Sequence, residues 1–562
     1  MNSLSFADII KLIITSISFI DFLIFCVLFL SFIIVVPFKA TQISTKIISI
    51  CVIIFFIIFK CMFIPIFLST IPLFEFDIPG IDIILGILTW SNIILAGVPL
   101  ILAIVTIMYK KPNLDKLNQI DCKRVNIIMP IYNEDPESLY IAIQSVIKLK
   151  YNSKNLINLY LSFDEGVPKS GEFNSDAFVK LMERYSLDSN DNRERINVQI
   201  DGVLISICRF EHGGKKLAQY GGFREMEKDF SREVLNDSLV FFIDSDIILN
   251  SRSVLHFCYY MEKYSKNALT GLISCIASSN PSFITFYQDI EYISGQIFWR
   301  NLENYFNGTS CLPGAFTILR YSFFKKVSDK YFNSTIYADN YDYQRFYLGE
   351  DRYLTHLLME IEPKKIGFCE AARCKTSAPD NIKTLLKQRK RWYLGHIAND
   401  TWMISSFDLW KNYPLLCLFN LLNNTRNTSI YIYLIYFVLL LNKEASFISW
   451  ILFILLPIIL NWAFIIIYAL KINRKMNILF YMTILLFQPI FNMAYMYYTI
   501  WTIKNRSWGG PRVNNEILDN QILDNLNPKY SLESNLHQLT ENDSRDSRDS
   551  LEFPDKIQIV IV

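Results

Sequence analysis

Asp244-Ser245-Asp246 holds two aspartates at alternate positions, just beyond the apolar run Ser238–Ile243. Carboxylates so placed can grip a divalent ion and a ribose hydroxyl together. Mg²⁺ or Mn²⁺ takes hard oxygen ligands and often bridges one or two carboxylates to a diphosphate. Gly213-Gly214-Lys215-Lys216 offers positive charge to a diphosphate, although the same four residues also suit a surface turn. Glu350-Asp351-Arg352 brings a carboxylate that could serve as a general base, and reads equally as a charged helix start. In Gln388-Arg389-Lys390-Arg391-Trp392, an arginine can pair bidentately with a diphosphate and an indole can stack on a sugar ring. Its three cations also resemble a juxtamembrane basic cluster, but charge bias does not call for Gln388 or Trp392. The eleven cysteines contain no CxxC pair and the five histidines no metal-ligand spacing, so a zinc centre is not expected.

These groups need a scaffold. RVNIIMP (124–130) runs into Ile131-Tyr132-Asn133-Glu134-Asp135, LINLYLSF (156–163) into Asp164-Glu165-Gly166, and SLVFFI (238–243) into Asp244-Ser245-Asp246. Short apolar runs bounded by turns predict buried parallel strands, and the amphipathic stretch 137–148 predicts a crossover helix. Open α/β sheets bind ligands at the carboxyl ends of their strands. Three acidic elements at three such ends therefore form a candidate single site.

The chain has 562 residues, 52% of them hydrophobic and only 19% charged. A soluble globular chain carries about 25% charged residues. The average suits very apolar segments joined to a normally charged one, and excludes a disordered chain, a fibrous repeat and a small disulfide scaffold. A net charge of +2 gives no basic face for nucleic acid.

Apolar stretches of spanning length fall at about 17–37, 47–69 and 86–109, and again at about 413–442, 445–470 and 476–503. The first contains Asp21 and lacks a small-residue cleavage site, which reads as a signal anchor. Lys60, in the second, is expected to face the bundle interior or to snorkel. Lys39 and Lys46 against Glu75, Asp77 and Asp82, then Lys110, Lys111 and Lys116, place the first linker and the middle region in the cytoplasm. The last stretch has basic clusters on both sides and Pro489 within it, so a broken or re-entrant pair of half-helices is one reading and the parity of spans stays open. The expected layout is a transmembrane region over 1–111 and a cytoplasmic catalytic domain over 112–412. A transmembrane or interfacial region over 413–506, a loop at 507–512 and a polar tail over 513–562 complete it.

Taken in order, IYNED, FDEG, GGKK, DSD, QDIEY (288–292), CLPG (311–314), LGEDR (348–352), QRKRW (388–392) and SWGGPR (507–512) resemble the processive family 2 glycosyltransferases, and within them the fungal chitin synthases. The similarity spans about 120–512 and is densest over 340–400. Pro511 near SWG, Leu217 after the lysines, and Tyr-Leu-Gly after QRKRW depart from the family pattern.

The resemblance implies an α/β GT-A-like domain inserted between N- and C-terminal transmembrane helices of a multi-pass membrane protein. It implies inverting, processive transfer of GlcNAc from UDP-GlcNAc, with Mg²⁺ or Mn²⁺, to the 4-hydroxyl of a growing β-1,4 chitin chain that leaves through the membrane helices. Asp351 would be the general base and Asp246 the metal ligand. Pro130, Tyr132, Glu134, Asp164, Lys215 and Asp244 would bind the nucleotide, with Asp164 reading the uracil or ribose. Gln388, Arg391, Trp392, Leu312, Pro313 and Gly314 would meet the acceptor and diphosphate, and Trp508 and Arg512 would gate the site. The implied setting is the plasma membrane, with secretory vesicles as a second location, the lipid bilayer as partner, a homo-oligomer as one assembly, and no nucleic acid. The alternatives are a hyaluronan- or glucan-type synthase, or a catalytically dead membrane scaffold.

Overall fold

The computed structural model describes residues 6–61, 63–64, 117, 123–165, 174–189, 193–275, 282–334, 339–426, 479–503 and 560–561, with isolated positions at 80, 83 and 459. Its centre is one mixed sheet of ten strands, in the order β10-β3-β4-β2-β1-β5-β8-β7-β9-β6. The strands are β1 (Val125–Ile131), β2 (Ile157–Phe163), β3 (Arg195–Ile200), β4 (Val203–Arg209), β5 (Leu239–Ile243), β6 (Ile248–Leu249), β7 (Ala268–Cys275), β8 (Phe316–Arg320), β9 (Ile366–Thr376) and β10 (Val560–Ile561).

The three strands expected from their apolar runs sit side by side, with β1 between β2 and β5 and parallel to both. All residues of these three strands are buried. That is why they read as unbroken apolar runs rather than alternating ones. Successive side chains nevertheless face opposite layers. Val125, Ile127, Met129 and Ile131 join one core with the Pro136–Ile147 and Ser253–Lys263 helices. Ile128 joins a second core with the Lys215–Asp229, Tyr321–Asn333 and Glu350–Ile361 helices. The Pro136–Ile147 helix begins where Asp135 accepts the Ser138 N–H at 2.8 Å, with Pro136 just inside the start.

A third apolar cluster joins Phe25, Phe29, Phe32, Val52 and Phe56 to Leu348, Leu394, Ile397 and Met496. Two helical stretches among the described residues, Asp8–Lys39 and Ile43–Cys61, are long and apolar enough to cross a membrane. Lys60 lies in the interior as expected, 4% exposed, with its Nζ 5.2–5.7 Å from the rings of Phe22, Phe25, Phe56 and Phe63. Lys39 pairs at 2.8 Å with both Asp339 and Asp342 of the middle region.

The C-terminal half is described over Pro414–Arg426 and Leu479–Trp501. Leu479–Trp501 is one helix through Pro489, not two half-helices. Pro414–Arg426, the start of the 413–442 stretch, packs Leu416 and Cys417 into the second core while Asn424 donates to Asp400 at 3.1 Å. The expected spans at 86–109 and 445–470, the 507–512 loop and most of the tail lie outside the described residues.

Candidate active site

A cavity of about 800 Å³ opens at the carboxyl ends of β1 and β5. The register pairs Ile128 with Phe242, so the residues that follow each strand emerge together. Pro130, Tyr132 and Glu134 line the cavity from β1 and beyond it, and Asp244, Ser245 and Asp246 from beyond β5. Ser245 donates its hydroxyl to Glu134, tying the two strand ends to each other.

Lys215 enters from the first turn of its helix, its ammonium 2.5 Å from Asp244 Oδ1 and 3.8 Å from Glu350 Oε1. Burial alone would lower its pKa, but the charges of Asp244 and Glu350 carry it above the ordinary lysine value, so it remains a cation. Gly214, at φ 87°, makes the turn that admits this helix. Asp164 holds that turn: its carboxylate accepts the Gly213 and Gly214 N–H groups at 2.8 and 2.9 Å. It is 2% exposed, and in this arrangement its carboxylate fastens the lysine loop. Lys216 also points away, donating to Ser334 and to the Phe346 carbonyl. Tyr132 stacks on His212 with ring centroids 4.6 Å apart.

Asp246 accepts from Thr376 at 2.7 Å. Burial, then the neighbouring Asp244 charge, pushes its carboxyl above the ordinary aspartate value. A pair of aspartates two residues apart on a cavity wall is a fitting place for a hard cation. Among the described residues no group of three or more His, Cys, Asp or Glu side chains gathers as a metal cage. A cation held here therefore needs further oxygen ligands from water or from a substrate diphosphate.

Asp351 lies on the cavity wall in the first turn of the Glu350–Ile361 helix. Its Oδ1 accepts the Arg352 N–H at 2.8 Å and its Oδ2 the Cys311 thiol at 3.1 Å. Beside it, burial raises the Glu350 carboxyl, with Lys215 and Arg391 opposing and Asp351 reinforcing the effect. Glu350 was not among the expected site residues. Its place beside Lys215 follows from tertiary packing and has no signal in spacing.

The Ile382–Met403 helix contributes Gln388, Arg391 and Trp392 to the cavity. Arg389 also lines the cavity, paired there with Glu291 of QDIEY at 2.7 Å and lying 4.1 Å from the Trp392 ring, so it docks this helix against the QDIEY helix at the cavity wall. Gln288 of the same motif donates to the Pro379 carbonyl at 2.7 Å, which gives QDIEY its structural work. Pro313 and Gly314 line the cavity, but the Leu312 side chain is fully buried in the second core. Only the Leu312 N–H turns inward, donating to Thr355 at 2.7 Å. The Leu312 side chain thus packs in that core. Trp508 and Arg512 lie outside the described residues. Two π-helical turns, Gly295–Trp299 and Gln344–Leu348, adjoin the site, a common place for such turns.

The arrangement can hold a diphosphate between a lysine, an arginine and an aspartate pair while presenting a carboxylate to an attacking hydroxyl. Residues 218–533 match the family model described as chitin synthase. Chitin synthase 7 of Pyricularia oryzae is 33% identical over 84% of this chain and 59% of its own length. Chitin synthase 7 of Verticillium dahliae is 33% identical over 84% of this chain and 70% of its own. The chain thus spans less than two-thirds of the first relative. Among solved structures, the Pyrobaculum calidifontis mannosyltransferase PcManGT, in complex with GDP-Man and Mn²⁺, aligns over 75% of this chain and 99% of its own at 12% identity. Its TM-score of 0.40 is too low to carry an argument.

Proposed function

The chain belongs to the chitin synthase family, and from that premise we propose that it transfers GlcNAc from UDP-GlcNAc to the 4-hydroxyl end of a growing β-1,4-linked chain. The observation that carries this reading is the convergence of Lys215, Asp244, Asp246, Glu350, Asp351 and Arg391 on one cavity wall. We infer a GT-A-like catalytic domain held between membrane helices. The Lys39 contacts to Asp339 and Asp342 support a first linker on the same, cytoplasmic side as that domain. Location at the plasma membrane or secretory vesicles, exit of the polymer through the helices, processive action and gating by Trp508 and Arg512 belong to the same proposal.

In this mechanism Pro130, Tyr132 and Glu134 border the nucleoside, and Lys215 and Arg391 hold the diphosphate. Asp351 takes the proton of the acceptor 4-hydroxyl as that oxygen attacks the anomeric carbon. The carbon–oxygen bond to UDP breaks on the opposite face and UDP leaves with its electron pair, so the α donor gives a β linkage in one displacement. A positioned base contributes roughly 10²–10⁴ in rate, and alignment and charge neutralisation supply the rest. Asp246, with Asp244, would hold the divalent cation. Mg²⁺ or Mn²⁺ bound there supplies charge neutralisation for the departing diphosphate. Gln388, Trp392, Pro313 and Gly314 border the acceptor.

The test is purified protein with UDP-GlcNAc and Mg²⁺ or Mn²⁺. Insoluble product that chitinase digests is expected. Product that resists chitinase, or UDP release only with another sugar nucleotide, would replace this reading with another family 2 synthase.

A further inference from the structure

Cys311 stands where the mechanism above gives it no part. It lines the cavity at 4% exposure, and its Sγ is 3.1 Å from Oδ2 of Asp351. The neighbouring backbone is fixed without it. Ser310 donates its N–H and its hydroxyl to Glu303, and the Leu312 N–H is held by Thr355, whose hydroxyl donates in turn to the Asp351 carbonyl at 2.7 Å. The loop and the Glu350–Ile361 helix are therefore stapled on both sides of the sulfur, which stands between the Asp351 carboxylate and the Arg300 guanidinium.

We propose that Cys311 is a positioning residue for Asp351, orienting its carboxylate through a donor weak enough to leave that oxygen basic toward the acceptor hydroxyl. The inference rests on Asp351 being the base. A carboxylate loses basicity as the donors to its ionised form strengthen. A thiol is a weak donor and a serine hydroxyl a stronger one. Sulfur thus fixes direction at small cost in basicity. Burial, and then the Asp351 charge, pushes the thiol up to about 12, so it keeps its proton and stays a donor. Arg300 and Arg352 face the same thiol, and Glu303, Glu350, Asp400, Lys215 and Arg391 are the further charged groups acting on this cluster.

The test compares the full-length wild type with Cys311→Ser and Cys311→Ala, following UDP release from UDP-GlcNAc against pH. Both variants should lose about tenfold in kcat with an unchanged KM for UDP-GlcNAc, a part of what a positioned base contributes. The acidic limb of kcat/KM should move to lower pH in the serine variant, because a stronger donor favours the carboxylate. In the alanine variant it should move to higher pH, because a donor is gone. One limb shared by all three proteins would overturn the inference and leave only a packing role.

Infrared difference spectra supply a readout independent of turnover. A shifted S–H stretch should vanish in both Cys311→Ser and Asp351→Ala. Its absence from the wild type would overturn the contact. A wild type that released no UDP would sink the functional reading, while the band would still decide the contact.

Discussion

Asp164 and Lys215 share one task from two positions: the aspartate fixes the turn, and the lysine that follows the turn faces the cavity. Lys215→Met should raise KM for UDP-GlcNAc roughly 10- to 100-fold, the value of a hydrogen bond to a charged group. Steady-state kinetics will read it. Asp164→Ala should leave two N–H donors unpaired and lower stability by about 1–3 kcal/mol, visible in thermal unfolding. It should raise the same KM as the lysine loop loosens. The residues legible in advance were those that follow an apolar run, since a strand end dictates where Glu134, Asp244 and Asp246 emerge. Roles set by contacts distant in the chain were not. Nothing local to Asp164 says that its partners are 49 and 50 residues away, or that Arg389, two residues before Arg391, pairs with Glu291 at the cavity wall.

The helices that carry the chemistry meet backbone to backbone. A Cβ at Gly395 would lie 2.8 Å from Gly349 Cα and N and 2.9 Å from the Leu348 carbonyl carbon, none of which can swing aside. Gly395→Ala should therefore push the Ile382–Met403 helix off the Glu350–Ile361 helix. The expected cost is about 1–3 kcal/mol of overpacking, with kcat falling as Arg391 and Asp351 separate. Unfolding and kinetics on one preparation will check both. In the Glu350–Ile361 helix, burial and then the charges of Arg345 and Arg352 hold His356 well below the usual imidazole range. A depressed folded value means stability that is full above the unfolded pKa, about 6.5, and is lost as pH falls through the folded one. The thermal midpoint should decline on acidification below that point, with a shallower slope in His356→Gln. Strands β1, β2 and β5 were readable because full burial writes itself as an apolar run. Pro489 misled because a proline within a helix removes one hydrogen bond without having to end the helix.

At the scale of the whole molecule, the apolar N-terminal helices meet the polar middle region through an apolar cluster, through Gln42 and Thr45 against Asp408 and the Phe407 N–H, and through Lys39. Lys39 reaches Asp339 and Asp342, a few residues before the helix that carries Asp351. Lys39→Glu would set three acids together. Polymer synthesis in membranes should fall several-fold, and reversing Asp342 to lysine in the same chain should recover part of it. The low charge content thus has a physical source in segments of two kinds, and motifs from Tyr132 to Trp392 in the polar kind line one cavity. Beyond 412, Pro414–Arg426 puts Leu416 and Cys417 of its apolar stretch into the second core. The central claim is that Asp351 is the base of a GlcNAc transfer, and the most direct measurement is incorporation of labelled GlcNAc from UDP-GlcNAc into chitinase-sensitive polymer by wild type and Asp351→Asn. Polymer from the wild type and a loss of about 10²-fold or more in the variant are expected, with thermal unfolding and UDP binding unchanged. Equal synthesis by the two proteins would contradict that claim.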